Sequence, residues 1–172
     1  MANHELTILN ANCAPDSSGK VFFAPLETVL SLGTATFGTT LGCVMGFPTG
    51  SDVGIYGKFT IPRNYVGTPV LVIRGVLDGT PANVLGFGLQ QTGGIADSEA
   101  VDIAYEAEDV ASNSTWTGYA DEDMYEETIA ITPTSAYAIG DEVFFFFYRD
   151  DSVDTQTTDF ILTGLAFRFA DA

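Results

Sequence analysis

Short apolar runs rich in Val, Ile, Thr, Phe and Tyr recur along the chain, each closed by glycine, proline or a cluster of Asn, Asp and Ser. The first set fits a pleated, half-buried surface, and the second supplies the backbone freedom of tight turns. This pattern predicts strands over 5–10, 20–24, 28–36, 41–47, 54–61, 70–77, 84–90, 100–105, 126–132, 142–149 and 160–169. Alternation is plainest where Ile55, Gly57, Phe59 and Ile61 share one face and Tyr56, Lys58 and Thr60 the other, before Pro62 ends the ladder. The run at 69–77 is almost unbroken, as expected of a central strand covered on both faces. Within it, Arg74 needs a partner or a route to water.

Four consecutive rings, Phe144, Phe145, Phe146 and Phe147, place bulky groups on both sides of one strand. One side then packs in a core, and the other meets a second layer or a neighbouring subunit, with Phe144, Phe146 and the lone Trp116 as the expected interface residues. Segments 142–149 and 160–169, joined by the polar loop 150–159, read as an antiparallel pair. Strand positions put Phe59, Ile61, Leu71, Ile73, Phe145, Phe147, Leu162 and Leu165 in the core. Helical spacing is weak; the best stretch is 96–112, where the alternation of Val101, Ile103 and Tyr105 fits a strand equally well. Small polar residues around Trp116 mark a loop.

The fold class that follows is all-β, an antiparallel, jelly-roll-like β-sandwich over 26–172, preceded over 1–25 by an N-terminal arm lying on another subunit. A chain of 172 residues suits one such domain.

Charge narrows the partners. Six Lys and Arg stand against 23 Asp and Glu, a formal charge of -17, which repels phosphate backbones and argues against nucleic acid. No apolar run reaches the roughly 18 residues that cross a membrane as a helix. The N-terminus lacks the basic and apolar regions of a secretory signal, so synthesis in a cytoplasm is expected, with Cys13 and Cys43 as free, buried thiols.

The catalytic toolkit is thin. His4 is the one histidine, and neither a nucleophile elbow, a zinc-ligand spacing nor a phosphate-cradling glycine loop is present, so neither an enzyme nor a cofactor is expected. Carboxylates clustered in loops are the exception, because hard cations take oxygen ligands. Asp150, Asp151 and Asp154 are therefore candidate calcium ligands, as are Asp121, Asp123 and Glu126, although neither set has the spacing of a helix–loop–helix calcium loop. Trp116, Tyr119 and Tyr125 could stack on a sugar ring, but a lone tryptophan reads first as a packing anchor.

The stretch from Gly46 to Pro69 carries a Phe-Pro-x-Gly-x-Asp turn (Phe47, Pro48, Gly50, Asp52), a strand, then Ile61-Pro62 and Tyr65 before a hydrophobic strand. With Phe147-Tyr148-Arg149-Asp150 and Asp159 to Leu165 it resembles structural proteins of phage and marine viruses. That resemblance implies a β-sandwich used as a capsid decoration, head-fibre or tail-accessory module. Its expected partners are its own copies, as a trimer, and a major capsid or other virion protein, and its expected place is the virion. The alternative is a carbohydrate- or receptor-binding module of a fibre, calcium-assisted, which would show an aromatic platform beside acidic loops.

Overall fold

The computed structural model describes residues 3–10, 31–37, 40–47, 49–50, 52–99, 104–120 and 123–171. Ten strands occur among them: β1 Asn3–Asn10, β2 Ser31–Phe37, β3 Thr40–Phe47, β4 Val53–Thr60, β5 Tyr65–Leu77, β6 Leu85–Gln91, β7 Asp109–Asn113, β8 Tyr125–Ala130, β9 Glu142–Arg149 and β10 Phe160–Asp171. Sheet A runs β2-β3-β10-β5-β8, and sheet B runs β4-β9-β6-β7. β1 and β3 share one edge of β10, β3 along 160–162 and β1 along 164–170, with β5 on the other edge. All these pairings are antiparallel, and from β3 onward the chain changes sheet at each connection except the β6–β7 hairpin. That is the jelly-roll arrangement, in which two twisted sheets bury their inner faces against each other.

The core forms where the alternation predicts it. Ile55 and Phe59 of β4, Leu85, Phe87 and Leu89 of β6, and Val143, Phe145 and Phe147 of β9 meet Leu71 and Ile73 of β5 and Leu162, Leu165 and Phe167 of β10. All eight residues expected in the core belong to it. Phe47, Phe87, Phe147 and Phe160 form its aromatic centre, with ring centroids 4.9–6.5 Å apart in tilted or edge-on pairs that suit the ring quadrupole. β5 is covered on both faces, since Val72 and Val76 are buried as well as Leu71 and Ile73. It also extends further toward the N-terminus than its apolar run: Gly67 at φ +89° and a register break opposite Phe169 make room for Pro69, which could not donate to a regular ladder.

Arg74 finds its partners on the outward side of sheet A. It bonds Glu126 at 2.8 Å and Glu5 at 2.9 Å, while Arg168 reaches the same two carboxylates at 2.9 and 2.6 Å. Four strands are thereby laced across one face by alternating charge. Burial raises the Glu5 carboxyl, but the hydrogen bonds and charges of Arg168 and Arg74 outweigh it and hold the group below its ordinary value.

The structure departs from the sequence pattern at several places. β9 and β10 are not paired with each other; β9 lies between β4 and β6, and β10 lies in the other sheet. The connection that carries the chain between sheets is pinned by Arg149, which is almost fully buried. Its guanidinium bonds both oxygens of Asp154 at 2.6 and 3.0 Å and the carbonyls of Phe47, Thr158 and Gln156 at 2.8–3.0 Å, so all five N–H groups are satisfied. Nothing in the apolarity of the two strands reveals such a crossing.

No helix forms among the described residues of 96–112, and Tyr105 lies outside any strand; 100–103 fall outside the described residues. The strand in this region is β7, which the pattern missed because only Asp109 of its five residues is buried. Asp109 turns inward to accept the Thr132 amide at 3.0 Å and the Thr132 hydroxyl, tying sheet B to the end of β8. Within the expected arm, Asn3–Asn10 is a strand of sheet A, paired with β10 of the same chain. The predicted strand 20–24 and the side chains of His4, Cys13 and Cys43 lie outside what is described.

Candidate functional site

The outward face of sheet B departs from the polar pattern of a solvated sheet. Strand pairing places Gln90, Phe146 and Tyr56 in one cross-strand row, and Gly88, Tyr148 and Gly54 in the next. Lys58 stands opposite Phe144 at one side of these rows. Tyr56 and Phe146 stack at 4.6 Å, Phe146 and Tyr148 at 4.7 Å with planes only 12° apart, and Tyr105 adds a fourth ring 6.4 Å from Tyr56. Phe146 and Tyr148 sit deep in the stack, whereas Phe144, Tyr56 and Tyr105 are half-buried and keep part of their rings at the surface.

Glycine makes this arrangement fit. A Cβ on Gly54 would stand 2.5 Å from both the Phe146 ring and Tyr148, and one on Gly88 would stand 2.3 Å from the Glu108 carboxylate and 2.5 Å from the Tyr148 ring. Only a bare backbone lets the two rings lie along the sheet rather than stand away from it.

Three carboxylates lie around the face. Glu106 accepts from the Gln91 side chain at 2.8 Å and from the amides of Thr134 and Ser135 at 2.6 and 2.9 Å, and so fixes the segment that delivers its neighbour Tyr105. Glu108 accepts from the Tyr148 hydroxyl. Burial, then the charges of Asp150 and Asp52, push the Glu108 carboxyl above its ordinary value. Burial also raises Tyr105, with Tyr56 adding to it. At the opposite end, the Lys58 ammonium lies 2.9 Å from Glu142 and 5.9 Å from the centre of the Phe144 ring. The Thr60 hydroxyl and Lys58 lower the Glu142 carboxyl.

Of the interface residues expected from sequence, Phe144 and Phe146 are brought together on this face. Trp116 is elsewhere, in the β7–β8 connection. Its indole donates to the Asn83 carbonyl at 2.6 Å, and its ring packs 5.2 Å from Tyr125 and 6.0 Å from Tyr119, against the edge of the core. Of the candidate calcium ligands, Asp121 lies outside the described residues, Asp123 accepts the Ala120 amide at 2.6 Å and Glu126 pairs with Arg74 and Arg168. Asp154 is spent on Arg149 and on the amides of Gly86 and Gln156, Asp150 is buried and accepts from Ser152, and Asp151 is exposed. Among the described residues no group of three or more His, Cys, Asp or Glu is placed to hold a metal. Tyr56, Tyr105 and Tyr148 went unnoticed in the sequence as site residues, although Tyr56 and Tyr148 sit at outward positions of strands it predicts.

No protein-family model matches the sequence, and no curated protein matches it. Solved structures do. An MgGH51 α-L-arabinofuranosidase bound to arabinose is similar with a TM-score of 0.54 at 12% identity, over 94% of this chain and 26% of that one. The chain thus spans about a quarter of that enzyme, and the likeness shows a shared fold. A family 16 carbohydrate-binding module is similar at TM-score 0.47 and 15% identity, over 94% of this chain and 99% of its own. The CBM36-1 domain of a multidomain xylanase from the hindgut metagenome of Trinervitermes trinervoides follows at 0.44 and 10%, over 99% and 98%.

Proposed function

We propose that this β-sandwich is a carbohydrate-binding module whose ligand lies on the outward face of sheet B. The observation that carries the reading is the ring row Tyr105, Tyr56, Phe146 and Tyr148, flanked by Phe144 and laid flat by Gly54 and Gly88. A sugar ring has an apolar C–H face and a hydroxylated rim, so a surface that takes it needs exposed aromatic area with polar groups beside it. Phe144, Tyr56 and Tyr105 provide the area, and the Gln90 amide and the tyrosine hydroxyls provide the rim. The fold shared with part of an arabinose-bound glycosidase is in keeping with this reading; the ligand class is argued from the face itself. The chemistry is adsorption, with no bond made or broken.

Affinity electrophoresis in gels containing soluble polysaccharides, followed by calorimetry with the matching oligosaccharide, tests the proposal. Retardation is expected, lost in Tyr56→Ala and Phe144→Ala and kept in Trp116→Phe. If no polysaccharide retards the protein, and its sedimentation coefficient instead rises with concentration in a way that Phe144→Ala abolishes, the face is a protein–protein interface. Attachment to a virion shell, the reading that the sequence resemblance supports, would then take its place.

A further inference from the structure

We infer that the outward face of sheet B selects uncharged glycans and rejects those bearing uronate or sulfate. The inference rests on the glycan-binding reading above and concerns the ligand that the same face takes. Recognition of an anionic sugar needs a cation with free hydrogen-bonding capacity, such as an arginine fork or an unpaired lysine. Among the described residues Lys58 is the cation on this face, and its ammonium is held 2.9 Å from Glu142 and turned over the Phe144 ring. Three of the four arginines are committed elsewhere: Arg74 and Arg168 to Glu5 and Glu126 on the opposite side of the sandwich, Arg149 in the interior with Asp154. Arg63 lies in the turn between β4 and β5, outside the strands that carry the ring row.

Carboxylates close both ends of the row. Glu142 stands at the Phe144 end. At the Tyr148 end Glu108 bonds the tyrosine hydroxyl, and the charges of Asp150 and Asp52 bear on it. Asp52, just before the strand pair Val53–Arg149, is exposed and accepts the Asp151 amide at 2.8 Å. A polyanion laid along the rings therefore meets negative charge at each end and a single, already neutralised lysine, within a chain carrying -17 overall. A neutral glycan meets none of this repulsion, because its C–H faces and hydroxyls need only ring area and hydrogen-bonding groups.

The experiment compares neutral polymers (xylan, mixed-linkage β-glucan, galactomannan) with acidic ones (polygalacturonate, alginate, carrageenan) in affinity gels and calorimetry, at low salt and at about 0.5 M sodium chloride, where screening falls below 10 Å. At least one neutral polymer should bind, with an affinity that changes less than about twofold with salt, and the acidic ones should not bind at low salt. Glu142→Gln, which releases Lys58, and Glu108→Gln, which removes a charge at the far end, should each raise the ratio of acidic to neutral affinity by about fivefold, the effect of roughly one screened charge contact. Tight low-salt binding of an acidic polymer, lost in Lys58→Ala, would overturn the inference and leave the glycan-binding reading standing. Binding of neither class would overturn both.

Discussion

The two outward faces of this sandwich obey the same two-residue alternation and are finished in opposite ways. On sheet A the outward positions of β1, β5, β8 and β10 hold Glu5, Arg74, Glu126 and Arg168, two cations each shared by two carboxylates. On sheet B the matching positions of β4 and β9 hold Tyr56, Phe146 and Tyr148, stacked on one another above glycines, with Phe144 beside them under the Lys58 ammonium. The first face satisfies itself: its charges answer one another and offer a partner little beyond what water already gives. The second keeps apolar ring area at the surface, which water does not satisfy and a ligand can. Stability and binding should therefore separate between the faces, ring substitutions affecting both and charge substitutions on sheet A neither strongly.

The largest effect is expected inside the sandwich, at the residue adjoining the outward stack. Phe147→Ala should cost about 3–5 kcal/mol in urea unfolding, as for other buried phenylalanines, while Phe146→Ala, one position along and facing outward, should cost about half as much and weaken glycan retention. Equal costs for the two would mean that the outward stack is a second core, and the contrast drawn between the faces would lose its ground.

Next in size is the glycine floor. Gly88→Ala places a methyl against the Glu108 carboxylate and the Tyr148 ring, so a loss of about 1–3 kcal/mol is expected, with a matching loss of tyrosine near-ultraviolet circular dichroism. A stable Gly88→Ala protein with an unaltered spectrum would show that the rings lie flat for another reason.

On sheet A the expected effects are small. Arg168→Gln leaves Arg74 to bridge Glu5 and Glu126, so a loss of about 0–1 kcal/mol is expected, vanishing in 1 M salt. A loss well above that, insensitive to salt, would make the charged network as structural as the rings.

The smallest effects, and the ones of opposite sign, concern pH. Glu5 is held below its ordinary value in the folded chain, so it contributes stability above the ordinary glutamate value of 4.5, and that contribution is lost as pH falls through the lowered folded value. Glu108 is raised, so its ionisation penalises the fold at neutral pH and the penalty is relieved as pH falls through its raised value toward 4.5. Glu108→Gln should accordingly stabilise at pH 7 with no gain well below 4.5, and Glu5→Gln should destabilise slightly at pH 7 only. Melting curves at the two pH values test both signs, and a Glu108→Gln protein less stable at pH 7 would show that the Tyr148 hydrogen bond outweighs the charge.

Much of the fold was legible because alternation is local. Phe59, Ile61, Phe145, Phe147, Leu162 and Leu165 announce an inner face by their spacing alone, and the split of the four phenylalanines into two inward and two outward rings follows from a period of two. The limits were also local in origin. Asp109 disguised β7 because a buried carboxylate looks like a loop residue until its Thr132 partner, 23 positions away, is in place. Arg149 looked like the charged end of a strand, and its partners in Phe47, Asp154, Gln156 and Thr158 exist only once the crossing loop has closed over it. Asp154, a candidate calcium ligand by its place in the loop, is likewise committed to the buried Arg149 guanidinium, a partner that spacing along the chain does not reveal.

The sequence by itself determined the all-β class, the positions of most strands, the side of each strand that enters the core and the excess of negative charge, because these depend on residue type and on spacing along the chain. Only the tertiary structure decided which strands are neighbours: that β9 lies between β4 and β6, that Tyr105 reaches over to Tyr56, and that Gly54 and Gly88 lie beneath the rings of Phe146 and Tyr148. Those are contacts across the sheet, between residues dozens of positions apart, and hydrophobic periodicity specifies which way a side chain points without specifying what it will meet.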